Sequence, residues 1–491
     1  MTSVRKALAL SFLERYLSIL LALASNMILA RLLTPHEIGQ YSVTLAVLGV
    51  AHVLRDFGIG SYLIQAPEVD DSQIGTAFGV SLLLGGGLFA AVFALAPWAA
   101  GFYGESGMTL TMRIAALSFL VLPFCTVRMS LLRREMRFKA LLYVSLTATA
   151  ISLVVTVLLA WQGMGSDSMA VGAVLQNLCT AVGTWLASDD RRVFRPTLVH
   201  WRPVLAFGGQ SAATNVVTTL SMDANDLVVG KVLGFQPVAL VSRAQGVVNL
   251  FHRDVMNAVR NVALPAFAEA HRGGDELVSR FRHSVAIVTG FAWPFYGFLS
   301  IFSLEFLRVM FGPQWDAAAP LVPVFALAGA IGALTSLVST ALVAVGRIEL
   351  VTRTEFVVQP MRLAIVIGAV TIWGTIESVA WAFLLAALPA APMFLAAGER
   401  GVPGLRRRLL RTTGPSLAVT AAALMPSIAY VGFMGWSRSE PLPLIGTTLV
   451  ICGGIILGIL VGEKTDHPVT REPLYQELRR RFVFHRSIAP R

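Results

Sequence analysis

Five polar residues recur at helical spacing inside an apolar run: Gln245, Asn249, Arg253, Asn257 and Arg260, separated by four, four, four and three. That spacing places them on one face of an α-helix predicted from Val238 to about Asn261. The run is apolar enough to cross a membrane, and a charge at the centre of a spanning helix costs roughly 2.5–3.5 kcal/mol even on a lenient scale. Such a stripe must therefore line water or a polar ligand. Arginine and amide side chains together suit an oxyanion with hydroxyl groups, because guanidinium offers planar, multidentate donors. For Arg243 and Arg260 the alternative is snorkelling to the two interfaces, whereas Arg253 sits in mid-span.

Other helices must present similar faces if they enclose the same space. The first span offers Ser11, Arg15, Ser18 and Ser25, with Glu14 and Asn26 beside them. The second offers Tyr41, Thr44, His52 and Arg55, then Asp56, and the seventh offers Ser211, Asn215, Thr218 and Asn225, flanked by Asp223 and Asp226. Arg15, Arg55, Asn249, Arg253, Asn257 and Arg260 are the candidate substrate-binding residues. Glu14, Asp223, Asp226 and Asp254 are the carboxylates placed to take up a proton or hold sodium. Arg55–Asp56 and Arg253–Asp254 have a second reading as ion pairs that lock the bundle, since neutralised pairs carry charge in lipid most cheaply. His52 has no carboxylate or cysteine at ligand spacing, so no metal site is expected.

Composition fixes the setting of these residues. Of 491 residues, 55% are hydrophobic and only 14% are charged, which excludes a soluble globular chain and identifies a polytopic, all-α membrane protein. Apolar runs of spanning length fall at about 10–33, 39–63, 74–98, 109–129, 139–161, 168–188, 206–231, 237–262, 284–305, 318–345, 351–373, 377–398, 413–434 and 442–462, fourteen in all. The net charge of +11 does not imply nucleic acid, because the basic residues cluster in alternate loops: Arg128–Lys139, Arg191–Arg202, Arg272–Arg282, Arg347–Arg353 and Arg400–Arg411. Under the positive-inside rule those loops and both termini are cytoplasmic. Cys125, Cys179 and Cys452 lie in apolar runs and form no disulfide or zinc pattern. Glu14 and Arg15 interrupt the first apolar run, so it is read as an uncleaved helix. The tail 463–491 has Leu474, Leu478 and Phe482 at helical spacing and is read as frayed or as a small amphipathic helix.

The chain also repeats itself at an offset of about 200 residues, where LARLLTPHEIGQYS at 29–42 aligns with VGKVLGFQPVALVS at 229–242. GFYGE at 101–105 is echoed by MFGPQW at 310–315. Six spans followed by six in the same orientation form a parallel repeat, and transporters built from such repeats hold substrate between the halves. The expected organisation is an N-lobe at 1–190, a basic linker at 191–205, a C-lobe at 206–400, two further helices at 401–462 and a cytoplasmic tail at 463–491.

LARLLTPHEIGQY at 29–41, DFGIGSYLIQ at 56–65, RREMRFKA at 133–140 and DLVVGKVLG at 226–234 resemble the Wzx-type polysaccharide flippases. These belong to the multidrug/oligosaccharidyl-lipid/polysaccharide exporter superfamily, and the similarity runs over roughly 1–400. The chain departs from the family pattern at Ala239 and Val241, where the second half usually carries Gly and Tyr. The resemblance implies two six-helix lobes in a V that opens alternately inward and outward in the bacterial inner membrane. It implies a polyprenyl-pyrophosphate-linked oligosaccharide as cargo, a unit of exopolysaccharide or lipopolysaccharide. Membrane lipids are the other expected partner, with a polysaccharide polymerase and chain-length machinery as further candidates and no nucleic acid. No cofactor is expected, and no GxxxxGK[ST] motif is present for nucleotide hydrolysis. A multidrug antiporter of the same superfamily is the alternative, but it would show an apolar cavity with isolated acids rather than many arginines. A membrane glycosyltransferase or polymerase would need a long outer loop, and the longest here is about ten residues around Gly101–Thr109.

Overall fold

The computed structural model describes residues 2–56, 59–65, 70–188, 194–199, 201–202, 223–273, 277–436, 440–465 and 467–471. Helix accounts for 89% of these and no strand occurs among them, as the composition requires: apolar backbone in lipid must satisfy its own hydrogen bonds. The chain divides into two compact units, Met1–Ala239 and Leu240–Arg491.

The first unit holds α1 (Thr2–Leu32), α2 (Pro35–Asp56), α3 (Ile59–Gln65), α4 (Asp71–Tyr103), α5 (Met108–Arg134), α6 (Phe138–Trp161), α7 (Ser166–Ala187) and α8, described over 223–232. Local sequence sets the ends of these helices. Thr34 and Glu37 close a reciprocal cap on α2: the Thr34 amide and hydroxyl donate to Glu37 Oε2 at 2.7 and 2.8 Å, and Pro35 occupies the first turn. Asp70 and Gln73 do the same for α4, which ends at Gly104 in the left-handed conformation (φ 78°). A buried polar cluster ties three helices together where Gln40 Nε2 donates to Thr111 Oγ1 (3.0 Å) and Thr111 donates to Asp167 (2.6 Å).

α9 (Phe235–Asn249) crosses the boundary between the units, and a π-helical turn at Leu250–Val255 joins it to α10 (Met256–Arg272). The second unit continues with α11 (Leu277–Ile301), α12 (Ser303–Phe311), α13 (Leu321–Thr335), α14 (Val338–Ala344), α15 (Ile348–Trp373), α16 (Ile376–Gly401), α17 (Leu405–Met434) and α18 (Leu444–Lys464). Gly454, Gly458 and Gly462 line one face of α18. A Cβ at Gly454 would collide with the Ala423 carbonyl of α17, so these glycines allow the close approach that packs helices in lipid. Thr289, Ser416 and His467 form a buried chain at 2.8 and 3.0 Å that holds the segment after α18 against α11 and α17. The Val469 amide donates to His467 Nδ1, which leaves Nε2–H to donate to Ser416. Burial, and then the charge of His283, keeps the His467 pKa below the ordinary imidazole value, in keeping with this neutral tautomer.

Eleven described helices are long and apolar enough to span a membrane. They correspond to the second to sixth and the ninth to fourteenth runs. The first run is helical in α1, with side chains described only from Leu17 onward. Most of the seventh, 206–222, lies outside the described residues, as do Arg191, Arg192 and the tail 472–491. The eighth is the one that differs from its expected form, as the π turn shows.

Candidate functional site

In the first unit α2 and α8 enclose a cavity of about 460 Å³ lined by Ser42, Leu45, Ala46, Gly49, His52, Val53, Asp223 and Asp226. The 42/46/49/53 spacing is one face of α2, and Asp223 and Asp226 are three apart on one face of α8. Small residues on α2 leave the space, and the two carboxylates supply its charge. His52 packs tilted against Phe119 of α5, ring centroids 5.0 Å apart. Arg55 lies half-buried three residues after His52, toward the end of α2. Among the described residues no cluster of His, Cys, Asp or Glu is placed to hold a metal.

The two copies of the sequence repeat meet beside this cavity. Gly39 of α2 lies directly against the Phe235 carbonyl at the start of α9, so close that a Cβ has no room. The His36 ring packs tilted against Phe235 at 5.8 Å, and the Tyr103 ring does so at 5.9 Å. Lys231 Nζ donates to the Phe102 carbonyl and sits 4.3 Å above the Phe102 ring. Gly39 therefore acts as the contact point of a tight aromatic and cationic latch.

A π turn at Leu250–Val255 interrupts the eighth span. Its extra residue withdraws about 100° of rotation and so offsets the drift that four-residue spacing accumulates, which brings Asn257 and Arg260 back toward the line of Gln245 and Asn249. Asn249 ends α9. Arg253 and Asp254 lie within the π turn itself, and their side chains, like those of Glu14 and Arg15 in α1, are outside the described residues. Asn257 and Arg260 are brought together, with Arg260 Nη2 donating to Asn257 Oδ1 at 2.9 Å. π turns interrupt helices chiefly at functional positions.

Sequence reasoning missed three features. Arg243 does not snorkel; it is buried, with its guanidinium 5.0 Å from both Phe311 and Trp315. These rings belong to the MFGPQW echo, whose role was otherwise unreadable. His252, in the π turn, packs against Gly332 of α13, and its Nδ1 is buried without a hydrogen bond among the described residues. On α15, Glu355, Gln359 and Arg362 are spaced four and three apart within a spanning helix, a signal the same spacing rule would have found.

A family model described as "Polysaccharide biosynthesis protein" matches residues 28–320, more than half of the chain. The chain belongs to this family. Lipopolysaccharide biosynthesis protein WzxC of Escherichia coli strain K12 is 24% identical over 338 residues, covering 67% of this chain and 68% of that protein. Among solved structures, lipid II flippase MurJ in an inward closed conformation has a TM-score of 0.69 at 14% identity, covering 94% of this chain and 98% of that one. An inward-facing MATE multidrug transporter of the MOP superfamily gives 0.60 at 14%, covering 81% and 96%. The resemblance to Wzx-type proteins and the all-α exporter fold are thus both upheld. This member of the polysaccharide biosynthesis family shares its fold with a flippase and a multidrug transporter.

Proposed function

We propose that the chain flips a polyprenyl-pyrophosphate-linked oligosaccharide, a repeat unit of exopolysaccharide or lipopolysaccharide, across the bacterial inner membrane by alternating access through a cationic central cavity. The observation that supports it most is the reach of the family match, which takes in the polar faces of α2, α8, α9 and α10 in a chain otherwise apolar. An intramembrane ionisable residue marks a substrate or ion path by default. In this reading Arg15, Arg55, Asn249, Arg253, Asn257 and Arg260 engage the pyrophosphate and sugars, while the lipid tail stays in the bilayer. The lobes are 1–190 and 206–400, and a polysaccharide polymerase and chain-length machinery receive the product. Deleting the gene should trap the lipid-linked unit on the inner leaflet and stop polymer export. A deletion strain that exports polymer normally would contradict the assignment.

Glu14, Asp223, Asp226 and Asp254 are the proposed coupling carboxylates, with Asp223 and Asp226 sharing one cavity wall. Asp223→Asn and Asp226→Asn should each weaken the dependence of transport on a proton or sodium gradient. Transport by both variants that responds to the gradients as the parent does would remove these two from coupling.

The loop charges support a topology of fourteen spans with both termini in the cytoplasm. Single cysteines in the Gly101–Thr109 loop should react with an impermeant thiol reagent from outside, and those in the 401–411 loop should not. The opposite labelling would invert the proposed orientation.

A further inference from the structure

The polar row on α15 is unused by the site just described. Glu355, Gln359 and Arg362 lie on one face of a 26-residue helix. Arg362 is the fifteenth of those residues, about 21 Å along the axis from Ile348 and so close to the middle of the bilayer. Gln359 Nε2 donates to Glu355 Oε2 at 2.7 Å. That bond fixes the amide and turns its carbonyl oxygen away from the glutamate. Gln359 Oε1 is buried and has no hydrogen-bond partner among the described residues.

Arg362 is half-buried, with the Phe383 ring of α16 5.9 Å from its guanidinium carbon, and the charge of Glu355 acts on it along the same helix. Among the described residues no carboxylate lies within ion-pair distance of it. Glu355 is seven residues away, two turns along the same helix, and is engaged by Gln359. The row therefore does not close on itself: the Gln359 oxygen stays open at membrane depth, and Arg362 meets the Glu355 charge only beyond ion-pair distance. Pro360 stands between them, and lacking an N–H it also frees the Phe356 carbonyl one turn earlier. Irregular, polar helix of this kind is tolerated in a bilayer where it lines a wet path.

We propose that Gln359 and Arg362 form a subsite for an acidic sugar residue, the carboxylate accepting from Arg362 and a ring hydroxyl donating to Gln359 Oε1. This assignment rests on the flippase reading above and specifies its substrate as a glycan that carries a carboxylate. The charge balance selects that group over pyrophosphate. A single guanidinium neutralises one negative charge, and Glu355 on the same row repels a multiply charged anion. Arginine also matches a planar carboxylate with two parallel hydrogen bonds. The hydroxyl requirement follows from the orphaned Gln359 oxygen, since a buried acceptor without a donor is costly.

The test uses the full chain in lipid nanodiscs and three probes: a tetrasaccharide with one glucuronate residue, its carboxyl-reduced form, and inorganic pyrophosphate. The parent protein should bind the acidic tetrasaccharide at least ten-fold more tightly than the reduced one. Arg362→Gln should erase that preference, and Glu355→Gln should enhance it by removing a repelling charge, while pyrophosphate binding stays the same in both. A parent that does not distinguish the two saccharides overturns the proposal, as does Arg362→Gln that still distinguishes them. Parallel loss of pyrophosphate binding in Arg362→Gln also overturns it, because the arginine would then support the whole fold. Should Arg362→Gln fail to assemble, Glu355→Gln decides, and unchanged or weaker acidic binding rejects the subsite. Preference for the acidic saccharide by a parent that ignores pyrophosphate supports the subsite while overturning the pyrophosphate reading of the cavity.

Discussion

Replacing Arg253 with glutamine is expected to cut export per molecule of inserted protein by roughly ten-fold or more. The motivation is its place in the π turn near the middle of the eighth span, where a charge-assisted contact to substrate is worth about 1.5–3 kcal/mol. Lysine should rescue partly, keeping the charge and losing the planar fork. A structural pair with Asp254 makes a different forecast: Arg253→Gln would lower the amount of folded protein, and removing Asp254 as well would restore it. Quantifying both export and membrane insertion for Arg253→Gln, Arg253→Lys and the double change separates the two. Normal export per molecule in Arg253→Gln would end the substrate-binding role of this residue.

Gly39→Ala should have an effect of similar size through a different route. The Phe235 carbonyl occupies the place of a Cβ at position 39, and backbone cannot swing aside as a side chain can. Overpacking of this kind costs about 1–3 kcal/mol, which shifts a two-state equilibrium by roughly 5- to 150-fold. The latch of His36, Phe235, Tyr103 and Lys231 lies, in the proposed topology, at the outer ends of the helices. Forcing it apart should open the α2–α8 cavity to the outside and reduce export. In a background without Cys125, Cys179 and Cys452, a reporter cysteine at Ser42 in that cavity should label faster from outside when Gly39 is alanine. Unchanged labelling together with unchanged export would show that the contact is incidental.

Much of the fold was legible because its determinants are local or repetitive. Apolar run length specified fourteen spans, and eleven of these runs are long described helices. The internal repeat pointed to 29–42 and 229–242 as equivalent, and these segments meet at Gly39 and Phe235. What could not be read was register. A π turn is one extra residue in a hydrogen-bond ladder, and nothing in L-F-H-R-D-V distinguishes it from ordinary helix. The interruption of the eighth span was therefore not legible, although the spacing of its polar residues was.

The site was legible in part. Side-chain type and spacing brought Asp223 and Asp226 forward, and the structure sets both on one cavity wall with Ser42 and His52. Arg243 stood equally between an interface and the polar face, because its partners, Phe311 and Trp315, lie some 70 residues downstream and no pattern links them. The α15 row is legible by the same rule, since its four-and-three spacing is as clear as that of the eighth span.

The flippase assignment is tested most directly with purified protein in liposomes loaded with a fluorescent polyprenyl-pyrophosphate-linked oligosaccharide, measuring how much becomes accessible to an impermeant quencher. Vesicles containing the chain should expose label from the inner leaflet much faster than empty vesicles, and Arg253→Gln vesicles should lag by about ten-fold. Equal rates in protein-containing and empty vesicles, under both proton and sodium gradients, would contradict the proposed function.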